Sequence, residues 1–167
     1  MLSFSADEIF RIGMEIELNG KAFYETAAAL CKESSAKEVL EYLRDAEQQH
    51  YDAFSAMRDA LPAAAKSETV FDPDGEAAMY LKALADSRIF TDMKQAVALA
   101  KKCKAPADVF EVALRFEKDS VVLFETMKQG TKPEWGQDKI NFLIDAEKEH
   151  VVRIFGALQK AKAKAKK

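Results

Sequence analysis

The sequence predicts an all-α protein, a bundle of four long helices arranged as two antiparallel hairpins in a single domain over 1–167. Three observations predict it. The 167 residues contain 6 Gly and 4 Pro, and Pro62, Pro73, Pro106 and Pro133 leave 5–61, 107–132 and 134–167 free of proline. Ala, Leu, Glu and Lys, all good helix formers, are common in those tracts. Finally, residues 17–50 repeat at 117–150. A composition of 49% hydrophobic and 32% charged residues is that of a globular chain, long enough for one well-buried core and too short for two ordinary ones.

The first long helix is expected over about 5–31, where Ser5 and Glu8 form a capping-box pattern. Ser35 with Glu38 has the same pattern and opens the second, about 35–60. The third, about 106–129, starts at Pro106, suited to a first turn, and ends at Gly130, suited to a left-handed cap. The fourth, about 133–162, follows Thr131 and Glu134, a further capping pattern, with Trp135 as a packing anchor. Short links make each pair an antiparallel hairpin. In the 62–105 connection, 62–75 reads as loop and 76–87 and 92–103 as two shorter helices, with Met79, Leu81, Leu84, Val97 and Leu99 in packing roles.

The repeat places polar residues where apolar ones belong. Glu17 matches Glu117, Asp45-Ala46-Glu47 matches Asp145-Ala146-Glu147, and His50 matches His150; these are the chain's 2 histidines. On the first helix the stripe Ile9, Gly13, Ile16, Gly20, Tyr24 is interrupted by Glu17, and on the third Val109, Ala113, Phe116, Ser120, Phe124 is interrupted by Glu117. Leu40, Leu43, Glu47, His50 and Phe54 share one face of the second helix, and Ile140, Leu143, Glu147, His150 and Ile154 one face of the fourth. Residues equidistant from a hairpin turn lie at one height. The midpoints of Glu17/Glu47 and Glu117/Glu147 fall at 32 and 132, in the two turns, so each pair sits about 22 Å from its turn.

Four carboxylates and two imidazoles thus meet at one level. A buried carboxylate is costly unless it is paired or bound to a metal. A lone Glu-x-x-His on a helix reads as a surface salt bridge or a core histidine. Two copies, each with a further Glu on the apolar stripe of the preceding helix, make a ligand set for two divalent ions, Glu17, Glu47, His50, Glu117, Glu147 and His150. The four negative charges balance two M²⁺. Oxygen-rich donors with one imidazole per ion suit iron or manganese, with zinc also open. Gly13, Gly20, Ala113 and Ser120 flank the upstream glutamates and leave room for O2 or peroxide. Tyr24, on the face of Glu17, has two readings: a redox-active group beside the metals, or a core aromatic like its counterpart Phe124. Asp45 and Asp145 are the nearest acidic candidates to hold the histidines, and Glu25 and Glu125 read as hydrated helix residues or cation guides.

At these residues the chain resembles the ferritin-like superfamily, and rubrerythrin-type proteins most. Asp45-Ala46-Glu47-Gln48-Gln49-His50, Asp145-Ala146-Glu147-Lys148-Glu149-His150 and Glu117-Lys118-Asp119-Ser120 carry the resemblance, which spans the four long helices. It implies a four-helix bundle around two iron ions that reduces peroxide or O2, with Glu17 and Glu117 as terminal ligands, Glu47 and Glu147 as bridges, and one histidine per iron. It also implies a homodimer. The chain departs from rubrerythrins in lacking paired C-x-x-C motifs, in Ser120 where they have a second carboxylate, and in His150 where they usually have Glu. The doubled Glu-x-x-His is similar to bacterioferritin. Electrons must then come from an external donor protein, and an iron-binding or ferroxidase role without turnover is the alternative; a zinc-bound bundle without redox chemistry is a third reading.

Other features bound the function classes. Net charge is −3, but five lysines (160, 162, 164, 166, 167) fall in the last eight residues, leaving 20 Lys and Arg against 28 Asp and Glu and a body charge of −8. An acidic body argues against nucleic acid. The lysine tail reads as a frayed helix end, or as a docking patch for an acidic partner. No run of 18 apolar residues predicts a membrane span, and Met1–Glu8 lacks the features of a secretion signal, so the expected location is the cytoplasm. Cys31 and Cys103 form no C-x-x-C, which excludes a zinc ribbon, a rubredoxin-type site and a thioredoxin motif. Both read as ordinary thiols, with Lys101, Lys102 and Lys104 favouring a Cys103 thiolate.

Overall fold

Ser5 caps the first helix as the sequence predicts. In the computed structural model, which describes residues 5–67, 79, 83 and 92–166, the Glu8 amide donates to the Ser5 hydroxyl at 3.2 Å and the Ser5 amide to the Glu8 carboxylate at 2.8 Å. Helix α1 spans Ala6–Leu30 and α2 spans Ser34–Asp59. The second cap differs from expectation. Glu33 is the N-cap, and the Ser35 hydroxyl donates to its carboxylate at 2.9 Å. Arg58, in the last turn of α2, donates to both oxygens of Asp7 at 2.7 and 3.0 Å, fastening the open end of this hairpin.

Part of the expected loop is helical: α3 covers Ala63–Ser67 and buries Ala65 against α1. The helix expected over 76–87 lies outside the described residues except for Met79 and Ala83, and Met79 is exposed. Helix α4, Met93–Lys102, matches the second short helix. Asp92 caps it by accepting from the Gln95 amide at 2.9 Å, and Ala96 and Ala100 are buried, with Val97 and Leu99 half-buried. Helix α5, Pro106–Gln129, begins on Pro106, and the Asp108 carboxylate accepts the amides of Lys104 and Ala105 at 2.9 and 3.0 Å.

The turn after α5 departs most from expectation. Pro133–Trp135 form a 3₁₀ turn, and α6 starts at Gln137 and runs to Ala165. Thr131 does not cap α6. Its buried hydroxyl donates to the Met127 carbonyl at 2.8 Å, and the Gln137 amide side chain donates to the Lys128 and Thr131 carbonyls, both at 3.0 Å. The end of α5 needs donors for its free carbonyls, and that need takes Thr131. Gly130 has φ −84, so the left-handed residue is Gly136, φ 99, where a Cβ would also sit 3.1 Å from Met57 Sδ. Trp135 is half-buried with the Lys132 ammonium 4.4 Å above its ring. The lysine tail forms the exposed last turns of α6, where Lys162 pairs with Glu111 at 2.7 Å and Lys164 pairs with Glu33.

Cross-contacts fix the topology. Gly13 lies against Phe54, Phe54 against Phe124, Ile9 near Gly130, His50 against His150, and Glu33 against Lys164. Low numbers on one helix meet high numbers on the next, so α1/α2, α2/α6 and α1/α5 are antiparallel. Helices α2 and α5 therefore run the same way across a diagonal. A chain leaving α2 must return its full length, roughly 39 Å for 26 residues, before α5 starts, which is why the central connection is long. Part of that return is α4, packed on α1. Aromatic rings fill the interior: Phe54 is edge-on to Phe124 at 5.1 Å, and Tyr24 edge-on to Phe116 at 6.4 Å.

Candidate metal centre

Between those aromatic layers the core turns polar. Glu17 from α1, Glu47 and His50 from α2, Glu117 from α5, and Glu147 and His150 from α6 are each between 0 and 6% exposed. Three residues nearly complete one helical turn, so Glu47 and His50 share a face, as do Glu147 and His150. Ligand atoms of Glu47, His50, Glu147 and His150 all lie within 4.8 Å of one another. The upstream glutamates complete two matching halves. His50 Nδ1 is 3.6 Å from Glu17 Oε2, and His150 Nδ1 is 3.6 Å from Glu117 Oε2. Glu147 spans both halves, with Oε1 2.7 Å from His50 Nδ1 and Oε2 3.3 Å from His150 Nδ1. The two imidazoles stack with centroids 5.3 Å apart. The structure thus brings together all six residues that the repeat singled out.

The donors are under-satisfied. Glu17 Oε1, both oxygens of Glu47, His50 Nδ1, Glu117 Oε2 and Glu147 Oε1 are buried with no hydrogen-bond partner. His50 Nδ1 and Glu147 Oε1 are close, yet the angle is not that of a hydrogen bond. Two atoms aimed at a common point rather than at each other have this arrangement, and neighbouring ligands about 2.1 Å from one ion are roughly 3 Å apart. Buried polar atoms normally find partners. Six orphans around one point, from carboxylates and imidazole, fit a pair of divalent cations.

Without a cation the charges conflict. Two carboxylates about 4 Å apart repel by roughly 4 kcal/mol in a protein-like dielectric. Burial, then the Glu147 charge, pushes Glu17 well above the carboxylate range, and burial with the Glu17 charge does the same to Glu47. Glu117 is pushed up to about 8 by burial and Glu147. Burial also pushes Glu147 up, but its polar contacts with Glu117, His150 and His50 outweigh it and hold this carboxyl low. Desolvation disfavours the imidazolium forms, but the surrounding carboxylates win, raising His50 to about 9 and His150 to about 10. Protons thus occupy the donors where cations would otherwise sit.

Tyr24 is more than a core aromatic. It is fully buried, and its hydroxyl donates a hydrogen bond to Glu117 Oε1. Burial and the adjacent Glu117 charge raise its pKa well above the phenol range, so the proton stays on the hydroxyl. Phe124 offers no such group on the other side. Gly13 and Gly20 leave no open space for a small ligand. A Cβ on Gly13 would lie 2.8 Å from the Phe54 ring, and one on Gly20 would lie 2.5 Å from Glu47 Oε2 and 2.6 Å from the Phe116 ring. The missing side chain of Gly20 is the space that Glu47 fills. Ala113 and Ser120 are buried as well.

Asp45 and Asp145 do not hold the histidines. Both are exposed, Asp45 pairing with Arg44 at 2.8 Å and Asp145 with Lys148 at 3.7 Å. They precede the ligand glutamates by two residues, just over half a helical turn, which points them to the opposite face. What the sequence reading missed is Tyr42, which lies edge-on to His150 at 6.0 Å with the Arg153 guanidinium 4.0 Å over its ring. Glu25 is exposed, and Glu125 pairs with Lys148 at 3.3 Å. Cys31 and Cys103 are free and half-buried, and burial raises the Cys103 thiol, in keeping with the ordinary-thiol reading and not with the thiolate alternative.

Among the described residues no helix is long and apolar enough to cross a membrane. No protein-family model matches the chain, and no curated protein matches it significantly. A solved structure does. It is from Thermotoga maritima and is described as a ferritin-like diiron-carboxylate protein; the likeness covers 95% of this chain and 97% of that one, with a TM-score of 0.74 and 21% sequence identity. The all-α bundle of this chain therefore has the ferritin-like fold.

Proposed function

We propose that Glu17, Glu47, His50, Glu117, Glu147 and His150 hold two iron ions, and that the chain is an oxidoreductase of rubrerythrin type that reduces peroxide or O2 with electrons from an external donor. The observation that carries this reading is the set of orphaned, inward-facing donors from four helices; the diiron-carboxylate description of the Thermotoga maritima protein supports it. In this reading Glu17 with His50 and Glu117 with His150 are the terminal pairs, and Glu47 and Glu147 lie between them. A bound iron pair would supply two electrons to the oxidant. The chain's own residues do the rest. The aromatic layers exclude water, Tyr24 orients Glu117 and keeps a proton on its hydroxyl beside the site, and Glu147 presents one oxygen to each half.

Anaerobic Fe²⁺ loading followed by H₂O₂ and an added reductant tests the activity. The expected result is many equivalents of peroxide consumed per chain, each with two electrons and two protons giving two waters. Oxidation that stops after one turnover despite reductant would instead place the chain with iron-handling ferroxidases of bacterioferritin type.

A further inference from the structure

The two halves of the metal centre have the same donors and nearly the same geometry. In each, a histidine Nδ1 lies 3.6 Å from the glutamate of the preceding helix, Glu17 Oε2 for His50 and Glu117 Oε2 for His150. What surrounds those two glutamates differs. The Tyr24 hydroxyl, from α1, donates to Glu117 Oε1. That bond holds one carboxylate oxygen and leaves the other, Oε2, without a partner and facing the cluster. The repeat of 17–50 at 117–150 sets Phe124 opposite Tyr24, and Glu17 opposite Glu117. Phe124 is fully buried, edge-on to Phe54, and has no hydroxyl to donate. Glu17 Oε1 is buried with no hydrogen-bond partner.

A second difference lies one turn further along. Gly20 follows Glu17 by three residues, and Glu47 Oε2 occupies the space of its absent side chain. The matching residue after Glu117 is Ser120, buried and bearing a side chain there. Glu47 keeps both oxygens without partners, whereas Glu147 Oε2 is within hydrogen-bond reach of His150 Nδ1 at 3.3 Å. Of the six orphaned donor atoms, four therefore belong to the α1/α2 hairpin and two to the α5/α6 hairpin.

These differences act on ion binding through orientation. The last side-chain torsion of a glutamate is soft, so a carboxylate that nothing holds must be ordered when an ion arrives. A carboxylate held from outside the cluster loses less freedom, and removing such an outer partner typically costs about 10–100-fold in metal affinity. The Tyr24 bond uses Oε1, so it survives when Oε2 takes an ion.

We propose that the two ion positions are unequal and fill in order, the Glu117–His150 half first and the Glu17–His50 half second, with Tyr24 as the positioning residue that sets the order. This rests on the two-ion reading given above and on none of its redox chemistry. A single hydroxyl on α1 breaks the symmetry that the repeat would otherwise impose.

The chain's 2 histidines, one in each half, report the order. The metal-free protein, labelled with ¹⁵N at histidine, is titrated with Zn²⁺ as a diamagnetic probe, and the ring nitrogens are followed by NMR. At one equivalent the His150 ring should reach its bound position, and His50 should move only with the second equivalent. In Tyr24→Phe one equivalent should be shared between both rings, and the first affinity, measured by calorimetry, should fall about tenfold while the second changes little. The order is the diagnostic, because repulsion between the ions separates two affinities even in a symmetric centre. A purely structural hydroxyl would lower the melting temperature and leave the order unchanged. His50 moving first, both rings moving together in the unaltered protein, or His150 keeping its precedence in Tyr24→Phe would overturn the proposal. Uptake of fewer than two ions by the unaltered protein would refute the two-ion reading itself, so the two failures are distinct.

Discussion

Gly20 shows how closely this core is fitted. Its missing side chain is replaced by Glu47 Oε2 and the edge of Phe116, so Gly20→Ala should displace a candidate ligand and lower iron affinity at least tenfold, measured by competition with a chelator. Gly156→Ala, where the added methyl meets nothing within 4 Å, should leave iron binding unchanged and raise stability by about 0.5–1 kcal/mol, because glycine is costly inside a helix. Tyr24→Phe removes only the hydroxyl that holds Glu117. The ring still packs, so the melting temperature should change little while the rate of iron oxidation falls, a split that stopped-flow absorbance and thermal melts resolve. The six donors were legible in the sequence because each breaks an apolar stripe at helical spacing and its counterpart breaks the matching stripe in the second half of the repeat. The Tyr24 hydrogen bond and the Gly20 contact were not, since each depends on which side chain of another helix arrives at the same height. Asp45 and Asp145 were misplaced because nearness in sequence outweighed the half-turn that two residues make on a helix.

At the scale of elements, the long helices followed from proline spacing, while their ends followed from local hydrogen bonds that sequence patterns resolve only in part. Ser5 makes the predicted box with Glu8; Ser35 and Thr131, with similar patterns, spend their hydroxyls on Glu33 and on Met127. Ser5→Ala should cost about 1 kcal/mol in chemical denaturation and leave iron stoichiometry intact, since the cap lies about three turns from Glu17. The last turns of α6 extend past the expected end because Lys162 and Lys164 find Glu111 and Glu33 on neighbouring helices, partners that no pattern local to the tail reveals. The 3₁₀ turn at Pro133–Trp135 has the same origin: the carbonyls ending α5 take the donors that would have opened α6.

For the whole molecule, four like charges at the centre of the bundle tie stability to pH. In the metal-free chain Glu117 is held up to about 8 against an ordinary 4.5, and His50 and His150 up to about 9 and about 10 against 6.5. The folded chain keeps protons that the unfolded chain releases earlier, so raising pH destabilises it. The Glu117 contribution is whole below about 4.5 and lost as pH passes 8; the histidine contributions are whole below about 6.5 and lost as pH passes 9 to 10. Glu147, held low, is already ionised throughout that window. Thermal melts of the metal-free protein should therefore fall steadily from about pH 4.5 to about 10, and those of the iron-loaded protein should stay nearly level, because cations replace the protons. The central claim, that six residues from four helices form one two-ion centre, is tested most directly by anaerobic titration of the metal-free protein with Fe²⁺, alongside Glu47→Ala and His150→Ala. Two ions per chain, bound with release of protons and lost in both variants, is the expected result; one ion or none, or two ions retained in either variant, would contradict it.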